Sequence, residues 1–221
     1  MTEDIWSAVD AYIADKLSLS DPVLDAVLMT NREAGLPTID VSPAQGKFLN
    51  LLARMIRAER ILEIGTLGGY STIWLARALP ATGHLVTLEA EAKHADVARR
   101  NIASAGVSAK VDLRLGLAIE TLPELVAEAN APFDLVFIDA DKPSIADYFA
   151  FALELTRPGS VIVVDNVIRR GAVIETASED PRVEGVRRFF NDAAAEPRVS
   201  ATALQTVGIK GYDGFTLLVV N

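Results

Sequence analysis

Residues 60–74, with the sequence RILEIGTLGGYSTIW, constrain the fold more than any other stretch of the chain. The apolar start of this stretch is typical of a central parallel strand, because both faces of such a strand are buried. The glycines within residues 65–69 predict a tight turn that lets a ligand approach the backbone. Ser71 and Thr72 then favour the start of a helix. A strand, a glycine turn and a helix in this order predict an α/β fold.

An acidic residue, Glu89, ends the next apolar run at residues 85–89. In a strand–turn–helix–strand unit, a carboxylate at this place can bond both hydroxyls of a ribose, which predicts an adenosine-containing cofactor. Two residues separate Gly65 from the next glycine, so the turn lacks the GxGxxG spacing of dinucleotide folds. Glu63 disfavours a pyrophosphate and favours a cationic ligand such as S-adenosylmethionine. A plain α/β turn beside a glutamate is the alternative on this stretch alone.

The composition limits the class of protein. A length of 221 residues fits one α/β domain, and a hydrophobic share of 50% is sufficient for a buried sheet. The net charge of −9 argues against a nucleic-acid partner and against an anionic membrane surface. The chain has no cysteine, which excludes disulfides, thiol catalysis and zinc–thiolate sites. With no apolar run of membrane-spanning length and no secretory core, we expect a cytoplasmic protein.

Strands and helices alternate from residue 60 onward, which predicts a sheet that is mostly parallel. Strands are predicted at residues 60–64, 85–90, 111–115, 133–139, 160–165, 199–207 and 215–220. A turn at residues 210–214 predicts that the last two strands form an antiparallel hairpin. Helices are predicted at residues 4–17, 21–34, 44–56, 71–79, 92–105, 118–129, 144–155 and 182–195. Residues 1–221 are predicted to form one domain, in which residues 1–36 are an N-terminal helical extension.

Two further strands are followed by polar residues that suit a metal ion. Asp139 follows one strand, and Asp165 with Asn166 follows the next. The carboxyl ends of parallel strands emerge at one edge of a sheet, so these side chains can meet although they are distant in sequence. Two carboxylates and an amide oxygen are a ligand set suited to Mg²⁺. The alternative is that these acids cap the helices or turns that follow them.

Lys142 lies three residues after the first of these acids. Beside a divalent cation its ammonium is disfavoured, so we expect the pKa of Lys142 to fall and the amine to act as a base. A solvated lysine at a helix start is the alternative. The two histidines, His84 and His94, have no ligand partner nearby in the sequence, and we expect surface or structural roles for them.

Taken together, these motifs resemble those of the cation-dependent O-methyltransferases that include the caffeoyl-CoA and catechol types. The resemblance extends from about residue 36 to the C-terminus and rests on LEIGTLGGYST at 62–72, FDLVFIDADK at 133–142, VDN at 164–166 and DG at 213–214. It implies a Rossmann-like class I methyltransferase fold, with a mostly parallel seven-stranded sheet, an antiparallel last strand, helices on both faces and extra N-terminal helices. It also implies a homodimer.

The same resemblance implies a role for each matching residue. Asp139, Asp165 and Asn166 would bind Mg²⁺, or another divalent cation such as Ca²⁺ or Mn²⁺. Lys142, together with Asp139, would be catalytic and would lie next to the reacting hydroxyl of a vicinal dihydroxy aromatic substrate. The methyl donor, S-adenosyl-L-methionine, would contact Val41, Glu63, Gly65, Thr66, Ser71, Glu89, Ala118 and Asp141.

Two segments leave the function of their residues open. Many members of the family continue after the lysine with an Asn-Tyr pair, whereas here residues 143–148 read PSIADY. Pro143 fits the first turn of a helix, so the fold is compatible with this departure. Arg169 and Arg170 follow the Asp-Asn pair, where they could meet an acidic acceptor or be solvated.

Two other functions stay open on the sequence. One is a nicotinamide-dependent oxidoreductase on a similar sheet, which the spacing of the glycine turn disfavours. The other is a non-catalytic domain that only binds the cofactor. The combination of Asp139, Lys142, Asp165 and Asn166 argues against it, because a pure binder needs no metal beside the cofactor.

Overall fold

The computed structural model describes residues 3–128 and 131–221. The strands are β1 Arg60–Ile64, β2 His84–Glu89, β3 Val111–Leu115, β4 Phe133–Ile138, β5 Thr156–Asp165, β6 Val199–Gly208 and β7 Gly211–Val220. The helices are α1 Glu3–Leu17, α2 Pro22–Glu33, α3 Pro43–Met55, α4 Tyr70–Ala78, α5 Ala92–Ser104, α6 Ala118–Ala127, α7 Ile145–Glu154 and α8 Pro181–Ala195. The predicted end of the sixth helix, at residue 129, lies outside the described residues. None of the helices in the described ranges combines the length and the apolarity that crossing a membrane requires.

The strands form one sheet in the order β3-β2-β1-β4-β5-β7-β6. The first five strands are parallel, and β7 runs antiparallel to both of its neighbours. This confirms the predicted mostly parallel sheet of seven strands with an antiparallel last strand. The strand order reverses between β1 and β4, so that the ends of these two strands lie side by side. Ligands of open α/β sheets bind at such a reversal.

Helices cover both faces of the sheet, as predicted. Ile61 of β1 belongs to the apolar cluster formed with α2, α3, α4 and α5. The next residue, Leu62, belongs to the cluster formed with α6, α7 and α8. Successive side chains of a strand point to opposite faces, so a strand buried on both sides is apolar throughout. This explains the unbroken apolar runs from which the strands were predicted.

The N-terminal extension consists of two helices that differ in how they pack. The carboxylate of Asp21 caps α2, as predicted, by accepting hydrogen bonds from the N–H groups of Val23 and Leu24 at 3.0 Å. Leu24 and Val27 then bury this helix in the core. By contrast, α1 buries none of its described residues. The second helix is therefore an integral part of the domain, whereas the first lies on its surface.

The closing hairpin is tighter than predicted. The pairing of β6 with β7 continues to Gly208 and Gly211, so that Ile209 and Lys210 form the turn. The predicted turn at residues 210–214 is wrong, because most of that segment pairs with β6. Gly211 has a φ of +87°, which glycine adopts without steric cost. The glycines and the aspartate of this segment therefore serve the strand and not a longer loop.

Candidate active site

A cavity of about 530 Å³ opens at the carboxyl edge of the sheet, where β1 and β4 end. Most of the site residues predicted from the sequence line it, namely Val41, Gly65, Thr66, Ser71, Glu89, Ala118, Asp139, Asp141, Lys142 and Asn166. The two others, Glu63 and Asp165, are buried behind this wall. The fold therefore brings the predicted set together.

Two glycines of the turn after β1, Gly65 and Gly68, make room for other parts of the protein, and the third, Gly69, provides a positive φ. A Cβ on Gly65 would lie 2.1 Å from the carbonyl oxygen of Asp139, so only glycine lets the ends of β1 and β4 approach this closely. A Cβ on Gly68 would lie 2.0 Å from the side-chain oxygen of Asn31 in α2. Gly69 is the N-cap of α4, with a φ of +86°. These contacts give the glycines a structural role, and their role in admitting a ligand to the backbone stays a prediction.

Glu63 is fully buried beneath the turn, where three hydroxyl groups donate hydrogen bonds to its carboxylate. Two of these donors, Ser71 and Thr72, were expected to cap α4 but bond Glu63 instead, the first at 2.6 Å. The third is Thr87 of β2, at 2.7 Å. Burial raises the pKa of Glu63 to about 7 despite these donors. The carboxylate is thus partly protonated at neutral pH, which weakens the charge argument made from the sequence.

Glu89 faces the cavity in an orientation that the backbone holds. Its Oε2 accepts hydrogen bonds from the N–H groups of Thr66 at 3.2 Å and Leu67 at 2.7 Å, and its Oε1 accepts one from Glu91 at 3.0 Å. His94 Nδ1 lies 3.3 Å from the same Oε1, and His94 also lines the cavity. The sequence analysis expected a surface or structural role for His94 and did not place it at the cavity. The first turn of α5 determines this position.

Asp139 and Asp165 bring two carboxylates to adjacent strand ends. Asp165 is 5% exposed, and its Oδ1 accepts a hydrogen bond from the Asn166 N–H at 2.8 Å. Burial, and then the negative charge of Asp139, raises the pKa of Asp165 to about 7. A buried carboxylate next to a second carboxylate is costly unless cations lie nearby, and Lys142 supplies one positive charge for the two. The donor set at this point of the cavity therefore fits a divalent cation.

The number of predicted metal ligands is nevertheless small. Within the described ranges no group of three or more histidine, cysteine, aspartate or glutamate side chains could hold a metal ion. The predicted ligands are two carboxylates and the amide of Asn166, which fall outside that definition. Mg²⁺ commonly takes one or two carboxylates from the protein and completes its shell with water or substrate oxygens. Such a site would leave ligand positions free for an acceptor.

Lys142 is 6% exposed, and its ammonium donates a hydrogen bond to Asp139 Oδ1 at 3.0 Å. The alternative of a solvated lysine is therefore wrong. A Cβ on Gly185 of α8 would lie 2.0 Å from the Lys142 carbonyl oxygen, so this glycine lets the helix close over the lysine backbone. Lysine is rarely buried to this degree without a charged partner. The amine is fixed beside the carboxylate pair, at the cavity wall.

The segment after Lys142, which departs from the Asn-Tyr pair of many family members, still contributes a tyrosine to the cavity wall. Pro143 precedes the helix and does not lie in its first turn, because α7 begins at Ile145 with Ser144 as its N-cap. The Asp141 carboxylate accepts hydrogen bonds from the Tyr148 hydroxyl and, at 3.2 Å, from the Ser144 N–H. Tyr148 lines the cavity one helical turn into α7. The sequence analysis did not assign it to the site.

Other lining residues were also missed. They include Ile39, Asp40, Tyr70, Leu117 and Arg182. Most of them adjoin residues that were predicted, such as Val41, Ser71 and Ala118, so their position in the chain was a usable signal. No local signal marked Arg182, which reaches the cavity from α8. Of the arginine pair in the connection after β5, Arg169 lines the cavity and Arg170 is exposed.

Known proteins match this chain over nearly all of its length. The sequence profile of the O-methyltransferase family matches residues 16–219. A catechol O-methyltransferase of Niastella koreensis is 53% identical over 221 residues, all of both chains. The crystal structure of an O-methyltransferase from Bacillus cereus in complex with SAH is 57% identical, covers 100% of both chains and superposes with a TM-score of 0.98. A caffeoyl-CoA O-methyltransferase of Zea mays is 36% identical over 80% of this chain and 68% of its own. The chain described here therefore belongs to the O-methyltransferase family and is an O-methyltransferase.

Proposed function

We propose that the protein transfers a methyl group from S-adenosylmethionine to one oxygen of a vicinal dihydroxy aromatic, in a reaction that depends on a divalent cation. The observation that carries this proposal is one cavity lined both by Glu89 and Ser71 and by Asp139, Lys142 and Asn166. The names of relatives, which include a catechol and a caffeoyl-CoA O-methyltransferase, support the acceptor class. The SAH complex of the Bacillus cereus protein supports the methyl donor.

The donor would lie along the glycine turn. Glu89 offers the ribose hydroxyls a carboxylate whose orientation is already fixed by three backbone N–H groups. Val41 and Ser71 would contact the methionine part, and Ala118 and Asp141 the region of the adenine. Glu63 would act through the Ser71 hydroxyl that it binds, since its carboxylate does not line the cavity. A binding group that is already oriented needs no reordering when the ligand arrives.

The acceptor would lie at the other end of the cavity, beside the carboxylate pair. Asp139, Asp165 and Asn166 would hold Mg²⁺, or Ca²⁺ or Mn²⁺ in its place. A bound divalent cation supplies Lewis acidity, which lowers the pKa of a neighbouring hydroxyl and positions it. Lys142 lies within hydrogen-bond distance of Asp139 and so next to that hydroxyl. As a neutral amine it would accept the hydroxyl proton, and as an ammonium it would stabilise the resulting oxyanion.

The chemical step is a displacement at the methyl carbon. The acceptor oxygen forms a bond to this carbon while the carbon–sulfur bond breaks, and S-adenosylhomocysteine leaves with the electron pair. The positive charge of the donor disappears in the step, so the protein mainly has to align the reactants and exclude water. Lys142 and Asp165 are buried, so their functional groups are themselves shielded from solvent.

Membership of the O-methyltransferase family excludes the nicotinamide-dependent oxidoreductase that the sequence left open. The part of the cavity wall that Lys142 and Asp139 form disfavours a domain that only binds the cofactor. Lys142 is buried and paired with Asp139, and neither residue is needed to bind an adenosyl group. The arrangement favours turnover.

The test is methyl transfer from labelled S-adenosylmethionine to caffeic acid and to simple catechols, with Mg²⁺ and with excess chelator. We expect turnover with Mg²⁺, loss of turnover with chelator and recovery when Mg²⁺ is restored. The reason is that the acceptor hydroxyl is a weak nucleophile until its pKa is lowered. Turnover that is unchanged in excess chelator would contradict the metal dependence.

Asp165→Ala provides the control for the metal site. We expect its turnover with Mg²⁺ to fall by about a hundredfold or more, since a metal contributes several kcal/mol to such a step. Binding of S-adenosylhomocysteine, measured by calorimetry, should be retained, because Asp165 ends β5, whereas the donor is expected at the turn after β1 and at Glu89 of β2. Near-normal turnover in this variant would disprove the ligand assignment even if the reaction class is right.

A further inference from the structure

We propose that Arg169 binds an anionic group of the acceptor, so that the preferred acceptors are dihydroxy aromatics that carry a carboxylate. This inference rests on the proposed function and adds the substituent that the acceptor carries. Three lysine or arginine side chains among the described residues line the cavity, and they are Lys142, Arg169 and Arg182. They differ in whether a carboxylate of the protein already neutralises their positive charge.

Two of these cations have partners. Lys142 donates to Asp139 at 3.0 Å, and Arg182 donates to both carboxylate oxygens of Asp180, with Nη2 at 2.7 Å from Oδ2. Arg169 forms no salt bridge with any residue of the described ranges, and its Nε is buried without a hydrogen-bond partner there. A buried donor that lacks an acceptor is costly in an isolated protein. The charge of Asp180 also acts on Arg169, but its carboxylate is hydrogen-bonded to Arg182. Among the described residues, Arg169 is therefore the lining cation that has no hydrogen-bonded carboxylate.

The backbone of the loop around Arg169 is held in place by a residue of a distant strand. Asp213 Oδ1 accepts hydrogen bonds from the N–H groups of Ile168 and Arg169, both at 3.0 Å. Arg169 has a φ of +53° and Asn166 one of +56°. Residues other than glycine adopt such values at a steric cost, and such strain concentrates at functional sites. The hydrogen bonds from a distant strand keep Arg169 in this conformation.

The position of Arg169 favours the acceptor over the donor. It follows Asn166 by three residues in the connection after β5, whereas Glu89 and Ala118, predicted to contact the adenosine part, come from the ends of β2 and β3. An acceptor whose hydroxyls lie at Lys142 and Asn166 would therefore occupy the part of the cavity that Arg169 also lines, where a charged substituent could meet the guanidinium. A guanidinium pairs with a carboxylate through two parallel hydrogen bonds, which makes the carboxylate the matching group.

The experiment compares 3,4-dihydroxybenzoate with its methyl ester, which removes the charge and keeps the diol. The value of kcat/KM is measured for both with Mg²⁺ in the wild type and in Arg169→Met, Arg169→Lys and Arg170→Met. We expect the acid-to-ester ratio to fall about tenfold to a hundredfold in Arg169→Met, the range of a charge-assisted hydrogen bond. Arg169→Lys should restore part of the ratio. The exposed Arg170→Met, with the same loss of charge, should keep the wild-type ratio.

Three results would overturn the inference. One is an acid-to-ester ratio in Arg169→Met equal to that of the wild type. Another is an equal fall in Arg170→Met, which would indicate only the general charge of the surface. The third is an increase in the KM of S-adenosylmethionine with an unchanged ratio, which would place the donor carboxylate at Arg169.

A binding measurement distinguishes a failure of this inference from a failure of the proposed function. Both compounds are titrated by calorimetry into the wild type and Arg169→Met in the presence of S-adenosylhomocysteine and Mg²⁺. If neither compound is methylated, the proposed acceptor class fails, but tighter binding of the acid that is lost in Arg169→Met would still support the role of Arg169. If the acid binds the wild type no more tightly than the ester does, the inference fails whether or not turnover occurs.

Discussion

At the scale of single residues, the role of a carboxylate in this protein depends on its surroundings more than on its place in a motif. Glu63 and Asp165 both follow the family pattern, and burial is the first cause that raises the pKa of each to about 7. They differ in what compensates the charge. Three hydroxyl donors surround Glu63, whereas Asp165 has the Asn166 N–H and the Gln45 side chain as donors and the charges of Asp139 and Lys142 nearby. Glu63 is thus a structural acid, and Asp165 is suited to a cation.

Glu63→Gln should flatten the dependence of stability on pH. Between pH 4.5 and 7 the folded state holds a proton on Glu63 that the unfolded state has lost, so the free energy of unfolding falls as pH rises. One fully linked proton contributes about 1.4 kcal/mol per pH unit. Removing it should reduce the slope, while Asp165, which titrates over the same range, maintains the remainder. Denaturant unfolding at pH 5 and pH 7, with chelator present, measures the difference.

The control for this prediction is Glu120→Gln, which makes the same change on an exposed residue in the first turn of α6. Its free energy of unfolding should follow the wild-type pH dependence. Parallel curves for Glu63→Gln and the wild type would mean that Glu63 is ionised in the folded protein throughout this range. The charge argument made from the sequence would then regain its strength.

Among the secondary-structure elements, the glycine turn and α2 are connected by a buried amide network. Asn31 of α2 donates to Asp40 Oδ1 at 2.8 Å and accepts from the Asn101 side chain at 2.9 Å. Asn101 of α5 also donates to the carbonyl oxygen of Gly68 at 2.8 Å. Asp40 itself lines the cavity. The network therefore ties an N-terminal helix to the turn expected to bind the cofactor.

Gly68→Ala should destabilise the protein through this network. The new Cβ would lie 2.0 Å from the Asn31 oxygen, so the amide has to move and its hydrogen bonds are lost. Forcing one methyl group into a packed site costs about 1–3 kcal/mol, which thermal or denaturant unfolding would detect. In an Asn31→Ala background the same change should cost much less, because the obstructing side chain is gone. Equal costs in both backgrounds would show that the turn conformation, and not the contact, requires glycine.

For the molecule as a whole, the apolar surface near the N-terminus is the main feature without an explanation inside one chain. The surface helix α1 exposes Ile5, Val9, Tyr12 and Leu17, and the edge strand β6 and the turn after it expose Leu204, Val207 and Ile209. Asp10 of α1 joins the two elements by accepting a hydrogen bond from the Ile209 N–H at 2.7 Å. Exposed edge strands and apolar patches are common sites of association. The homodimer implied by the family resemblance remains a prediction, and this surface is our candidate for its interface.

Light scattering should give a mass of about twice the 23.7 kDa of one chain. Tyr12→Glu and Val207→Glu should shift the protein towards the monomer, because each places a charge in the apolar surface. Their circular dichroism should match that of the wild type, since both residues are exposed in a single chain. A monomeric wild type would contradict the dimer, and a dimer that both variants leave unchanged would move the interface elsewhere.

Much of the active site could be predicted because a parallel sheet imposes a simple rule. Asp139, Asn166 and Glu89 each lie at or just after the end of a strand, and strand ends that share one edge have to be close in space. Tyr148 and His94 were not assigned to the site, because both lie inside helices whose rotation about their axes depends on packing. The hairpin turn was placed too late, because glycine and aspartate suit a strand pair as well as a loop.

The sequence was therefore sufficient for the fold class, the strand order along the chain and the sheet edge at which the predicted site residues meet. These properties follow from local patterns of apolar residues, glycines and charged strand ends. Whether a charge is buried, paired or free depends on residues far away in the chain, because its free energy is set by the atoms within a few ångströms. Asp213 holds the backbone of Arg169 from 44 positions away, and Thr87 contacts Glu63 from 24 positions away. The raised pKa values of Glu63 and Asp165, and the lack of a salt bridge from Arg169 to the described residues, therefore depend on the tertiary structure.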